Sequence, residues 1–164
     1  MKAGFIGLGR MGFALASHLL RNGVQLAVHD IQSAPVDKLV ALGASRAASV
    51  QALAAGADVV FTMLPGPKQS REVILGEGGV LAGLRRGGCL VELSTIDTDT
   101  VDALAAAAEK QGVRFADAPV GRLAAHADRG ESLFMLGGHD ADRVALEPLL
   151  LKMGTTVLHC GAPG

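Results

Sequence analysis

The sequence predicts an α/β domain in three layers (α/β/α), with a doubly wound, mostly parallel sheet covered by helices on both faces. Two observations carry this expectation. Short apolar runs alternate with amphipathic segments along all 164 residues, the pattern of strands buried on both faces and joined by helical crossovers. A glycine-rich turn directly follows the first apolar run and opens the first amphipathic segment, as it does where a strand feeds a ligand-binding helix.

Taken in order, residues 3–6 read as a buried strand and 11–21 as a helix ending at Asn22-Gly23. Residues 26–29 form a second strand, and 35–41 a helix closing at Gly43, the usual place for a left-handed cap. A short helix over 49–55 precedes the strand 59–63. Leu64-Pro65-Gly66-Pro67 then breaks the chain before a helix around 69–75. The strand 89–93 leads into Ser94-Thr95 and a helix over 98–110. A strand at 113–116, a loop from Pro119 onward, a strand at 133–136, a helix over 141–152 and a strand at 155–159 complete the series. One domain, residues 1–160, accounts for these elements, and residues 161–164 read as a connector.

Composition narrows the function. Hydrophobic residues make up 49% and charged residues 19%, which is globular rather than disordered. A net charge of −1 gives no electrostatic footprint for nucleic acid or an anionic membrane. Cys89 and Cys160 are too few for a disulfide framework and lack metal-ligand spacing, so reduced thiols in a cytoplasmic protein are expected. The apolar start resembles a signal peptide only until Gly7, Gly9 and Gly12 interrupt it. No uninterrupted apolar stretch reaches the roughly 18 residues a membrane helix needs, so a soluble protein is expected.

Gly7-Leu8-Gly9-Arg10-Met11-Gly12 fits G-x-G-x-x-G between a strand and a helix. The first glycine permits a tight turn, the second lets backbone approach a pyrophosphate, and the third allows helix to pack on strand. Free N–H groups near Arg10 and Met11 would face the phosphates from the favourable end of the helix dipole. Asp30 ends the second strand, 18 residues beyond Gly12, close to the expected separation of about 20 for the acid that accepts ribose hydroxyls. Its charge opposes a 2′-phosphate and no Arg follows it, so NAD is favoured over NADP. The alternative is that Asp30 only caps the next segment. No G-x-x-x-x-G-K-[ST] is present, which leaves a phosphate-loop nucleotidase unsupported. The expected fold is thus a Rossmann domain.

The run Gly4 to Gly12, with Met63-Leu64-Pro65, Glu92-Leu93-Ser94-Thr95-Ile96 and Asp117-Ala118-Pro119-Val120 following in order, resembles the beta-hydroxyacid dehydrogenase family. That family comprises 3-hydroxyisobutyrate dehydrogenase-like proteins and, more distantly, 6-phosphogluconate dehydrogenase. The resemblance covers the whole chain. It implies that Arg10 and Met11 lie against the pyrophosphate, Leu64 and Pro65 along the cofactor, and Thr95 near the nicotinamide ribose. The alternatives are a strand-ending turn for Leu64-Pro65 and a helix N-cap for Thr95.

Most of the family continues A-P-V with Ser-Gly-Gly, whereas here Gly121-Arg122-Leu123 follows. The P-V-G-R form resembles the 3-sulfolactaldehyde (or 4-hydroxybutyrate) reductase branch, in which the arginine binds the anionic end of the substrate. Gly121 and Arg122 are therefore the expected substrate contacts, and a planar guanidinium suits a carboxylate or sulfonate. Leu123-Ala124 stands where that branch has Thr-Ser, which removes two hydroxyl donors. The competing role for Arg122 is a surface salt bridge. His126 lies in the same loop, whereas His139 and His159 read as surface or packing residues. The Asp97/Asp99 and Asp140/Asp142 pairs read as residues that cap and charge helix N-termini.

The resemblance also implies a general-acid lysine beyond Gly164, on a helix leading into an absent C-terminal helical domain. Lys152 is not its equivalent, so no catalytic residue and no metal ligand is expected in this chain. The expected function is the NAD-binding domain of an oxidoreductase moving hydride between NAD(H) and a small anionic hydroxy acid or aldehyde acid. The resemblance implies a homo-oligomer for the full-length form. The alternative is a stand-alone NAD-binding module without chemistry.

Overall fold

The computed structural model describes residues 1–164. Its elements run β1 (Lys2–Ile6), α1 (Arg10–Arg21), β2 (Gln25–His29), α2 (Ser33–Ala41), β3 (Ser45–Arg46), α3 (Val50–Ala55), β4 (Val59–Thr62), α4 (Pro67–Leu75) and α5 (Val80–Gly83). They continue as β5 (Cys89–Glu92), α6 (Thr98–Lys110), β6 (Arg114–Asp117), β7 (Val120–Gly121), α7 (Ala124–Asp128), β8 (Ser132–Gly138), α8 (Asp140–Leu150) and β9 (Gly154–Gly161).

All nine strands form one sheet in the order β3-β2-β1-β4-β5-β6-β8-β7, with β9 paired to β8. The strands from β1 to β6 pair in parallel. β8 runs antiparallel to β6 and β7 and parallel to β9. The fold is therefore a doubly wound, mostly parallel Rossmann-like sheet.

Side-chain alternation along the strands builds two cores. Phe5, Val28, Phe61 and Val91 face helices α1, α2 and α8. Ile6, Val60, Leu90 and Phe115 face α3, α5 and α6 on the other side. Each such buried side chain contributes about 1.5–3 kcal/mol relative to exposure. Phe5 and Phe61 stand opposite each other on β1 and β4, their rings 6.0 Å apart, and fasten the centre of the sheet. Between these two strands the connections turn away in opposite directions, β2 and β3 to one side and β5 and β6 to the other. That divergence opens a crevice beyond the carboxyl ends of β1 and β4, where open α/β sheets bind ligands.

The 98–110 helix lies where the sequence places it. The segment after Pro119, expected as plain loop, instead contains β7 and the five-residue α7. β3 and α5 are two further short elements without a sequence signature. Asp97 rather than Thr95 caps α6, its carboxylate accepting the Thr100 N–H at 2.8 Å. Asp140 and Asp142 sit in the first turn of α8, and the buried Asp142 also pairs with Arg114 at 2.9 Å. No helix is long and apolar enough to cross a membrane.

Candidate functional site

The three glycines of the fingerprint do different work. Gly7 adopts φ +90, and a Cβ there would lie 2.2 Å from the Met63 carbonyl oxygen. A Cβ on Gly12 would lie 1.9 Å from the Gly7 carbonyl oxygen, so the start of α1 rests directly on the turn. Gly9 is different, because a Cβ there would meet nothing within 4 Å. Packing of the chain on itself explains Gly7 and Gly12, while Gly9 leaves backbone bare towards open space. Beside it, the N–H groups of Arg10, Met11 and Gly12 donate to no acceptor in the chain. These first-turn donors carry the positive end of the helix dipole.

They face a cleft of about 740 Å³ lined by Ile6–Gly12, by His29–Gln32 after β2, by Met63–Pro65 after β4, and by residues of α4 and the turn after it. Asp30 forms part of that wall. Its carboxylate accepts the Leu8 N–H at 2.6 Å and the Gln32 N–H at 2.8 Å. It thus ties the glycine turn to the end of β2 and also supports the segment before α2. Both oxygens keep lone pairs for a further donor. The volume, the bare backbone at Gly9 and the unpartnered N–H groups suit a dinucleotide, whose pyrophosphate would accept from the helix start.

The next two strand ends are fastened by a buried chain of hydrogen bonds. Leu64 donates its N–H to Ser94 Oγ at 2.7 Å. Ser94 N–H donates to Glu92 Oε1 at 2.8 Å, and Thr62 Oγ1 lies 3.1 Å from Glu92 Oε2. Glu92 is fully buried. Desolvation pushes its carboxyl above the ordinary range, against hydrogen bonds from Ser94 and Thr62 that act to lower it. A folded state that holds this proton more tightly than the unfolded chain loses stability as pH rises through the window above the unfolded value. The neutral amide in Glu92→Gln mimics the protonated acid and does not titrate. The melting temperature of the variant should therefore rise relative to the native protein as pH climbs above the ordinary carboxyl range. A difference that stays constant with pH would contradict the upward shift of the Glu92 carboxyl.

Along the same sheet edge, Thr95 follows β5 and is exposed, outside the cleft wall. Gly121 and Arg122 follow β6 by way of Pro119. Arg122 has φ +73 and is the only non-glycine residue in the left-handed region. It forms no ion pair. Its Nη1 donates to the Glu131 carbonyl oxygen at 2.8 Å, which leaves most of the guanidinium donors free.

The NAD-binding domain of 6-phosphogluconate dehydrogenase matches residues 2–161. The chain belongs to this family. The NAD-binding domain is also 39% identical over 160 residues to 3-sulfolactaldehyde reductase of Escherichia coli K12, covering 98% of this chain and 54% of that protein. It is 41% identical over 163 residues to the NAD-dependent L-serine dehydrogenase of Pseudomonas aeruginosa, again covering 98% and 54%. Among solved structures, Mycobacterium tuberculosis 3-hydroxyisobutyrate dehydrogenase with L-serine superimposes with a TM-score of 0.93 at 30% identity, covering 99% of this chain and 55% of that one. The domain thus spans about half the length of the curated relatives it matches.

Other polar residues of the NAD-binding domain fall away from the cleft. Lys152 Nζ donates to the Asn22 carbonyl oxygen, at the far end of a 12-residue helix and so about 18 Å from the glycine turn. His159 pairs with Glu147 at 2.9 Å, and His139 stands at the N-cap of α8. The Nδ1 of His126 is buried without a partner. Sequence reasoning missed Glu92 as a buried acid, Ser94 as the link to Leu64, and the pair Arg10–Asp128 described below. The E-L-S-T motif held the only local signal for the first two.

Proposed function

We propose that the cleft binds NAD(H) through Gly7, Leu8, Gly9, Arg10, Met11, Gly12 and Asp30, with Leu64, Pro65 and Thr95 further along the cofactor. In this reading the chain is the dinucleotide-binding half of an NAD-dependent dehydrogenase or reductase of a small hydroxy acid or aldehyde acid. Residues 1–160 form the binding domain, and residues 161–164 lead towards the helical half of the enzyme. Gly121 and Arg122 hold the anionic end of the substrate.

Arg122 carries this reading. A side chain larger than glycine at φ +73 costs about 1–2 kcal/mol of backbone strain. One bond to a carbonyl oxygen can be made from many backbone conformations and does not explain that cost. An exposed guanidinium with free donors, on the segment after β6 and β7, is suited to a carboxylate or sulfonate.

When bound, the cofactor supplies the hydride. The residues of the chain place it. The helix start would hold its phosphates and Asp30 its adenosine ribose. The Leu64–Ser94–Glu92 chain ties the ends of β4 and β5 together and would keep Leu64 and Pro65 in place for the cofactor. No lysine lines the cleft and the chain spans 54% of the reductase it matches, so this reading assigns the proton donor to the half that the chain does not span.

Asp30 gives the first test. Asp30→Ala should weaken NADH binding by about tenfold, the equivalent of one charge-assisted bond, and weaken NADPH binding much less. Equal losses for the two cofactors would contradict the assignment of cofactor choice to Asp30.

A further inference from the structure

The segment after Arg122 rests on α1. α7 has five residues, far too few to be stable alone. His18 on α1 supports its C-terminal end, with Nε2 lying 3.0 Å and 3.1 Å from the Ala127 and Asp128 carbonyl oxygens. Since both partners are acceptors, Nε2 carries the proton. Gly130, at φ +71, lets the chain pass against that ring, because a Cβ there would lie 3.0 Å from His18 Cε1. The side chain of Asp128 is gripped by Arg10 in a two-pronged pair, with Nη1 to Oδ1 at 2.7 Å and Nη2 to Oδ2 as the second bond. Arg10 is also the first residue of α1, beside the N–H groups assigned above to the pyrophosphate. The same segment returns to Arg122 through the Glu131 carbonyl oxygen.

We propose that Arg10, Asp128 and His18 form a positioning latch through which an occupied phosphate site orders the loop that carries Arg122. This rests on the reading of the glycine turn as the NADH pyrophosphate site. The Arg10–Asp128 pair is exposed on both sides, so it is a weak staple in the free protein. Its Nε–H and remaining Nη–H groups are uncommitted. A pyrophosphate at the helix start fixes the guanidinium from one side while Asp128 holds it from the other. The cost of ordering the arginine is then met once for both partners, which couples them positively. Asp128 and His18 touch neither cofactor nor substrate. They act through Arg10 and through the position of Arg122.

The test is amide hydrogen exchange of the 164-residue chain with and without NADH, with NADH binding followed by calorimetry on the same samples. In the native chain, NADH should slow exchange across Ala124–Gly130 by at least about fivefold. Asp128→Asn should abolish that slowing, and linkage requires NADH affinity to fall by the same factor. Asp128→Glu should restore part of both. NADH binding that leaves loop exchange unchanged or speeds it would overturn the latch alone, as would slowing that survives in Asp128→Asn. Failure of the native chain to bind NADH would overturn the cofactor reading and the latch with it.

Discussion

Replacing Gly9 with alanine is expected to leave the melting temperature unchanged and to weaken NADH binding by at least about tenfold, or roughly 1.4 kcal/mol. The residue has φ −62 and ψ −169, a conformation open to any L-residue. The added Cβ meets nothing in the chain, so the folded state has no reason to resist it. The space it enters is where a phosphate must approach the helix start. Gly12→Ala is the counterpart. Its Cβ would lie 1.9 Å from a backbone oxygen of the glycine turn, and backbone cannot swing aside as a side chain can. That variant should lose about 1–3 kcal/mol of stability from overpacking, and NADH binding with it. Thermal melts and NADH titrations of the two variants check the contrast. If Gly9→Ala melted early, or bound NADH normally, the bare backbone at Gly9 would have some purpose other than a ligand.

Loss of Arg122 should have the second large effect, and on a different quantity. In the full-length enzyme, Arg122→Gly should raise KM for the anionic substrate by about 10–100-fold, the range of charge-assisted bonds to one anionic group. NADH affinity should stay within about twofold of the native value. The same substitution removes a side chain from φ +73, so the melting temperature should rise as the strain is relieved. Steady-state kinetics and a thermal melt on one preparation read all three. A stability gain with no change in KM would reduce Arg122 to a strained surface residue. A fall in NADH affinity would place it on the cofactor rather than on the substrate.

The parts of this protein that could be read from sequence are those whose physics is local. G-x-G-x-x-G is legible because its spacing is local, even though the clash that demands Gly7 comes from the Met63 carbonyl oxygen at the end of the neighbouring strand. The helix over Thr98–Lys110 is legible because its N-cap and apolar spacing lie in one stretch. The helix α7 is not, since five residues carry too little of a 3.6-residue period, and its supports lie on α1, 109 to 118 residues away. Glu92 was visible as a motif letter, but nothing in the letters told that its carboxyl is buried against Ser94 and Thr62. Thr95 and Asp97 show the same limit at shorter range. Two good capping residues stood near one helix start, and only the backbone path decided that Asp97 takes the role.

Calorimetric titration of the 164-residue chain with NADH, and separately with NADPH, tests the central claim most directly. The account predicts saturable binding of one NADH per chain, with NADPH weaker by about tenfold because Asp30 opposes its 2′-phosphate. A folded chain that binds neither cofactor, or that prefers NADPH, would contradict it.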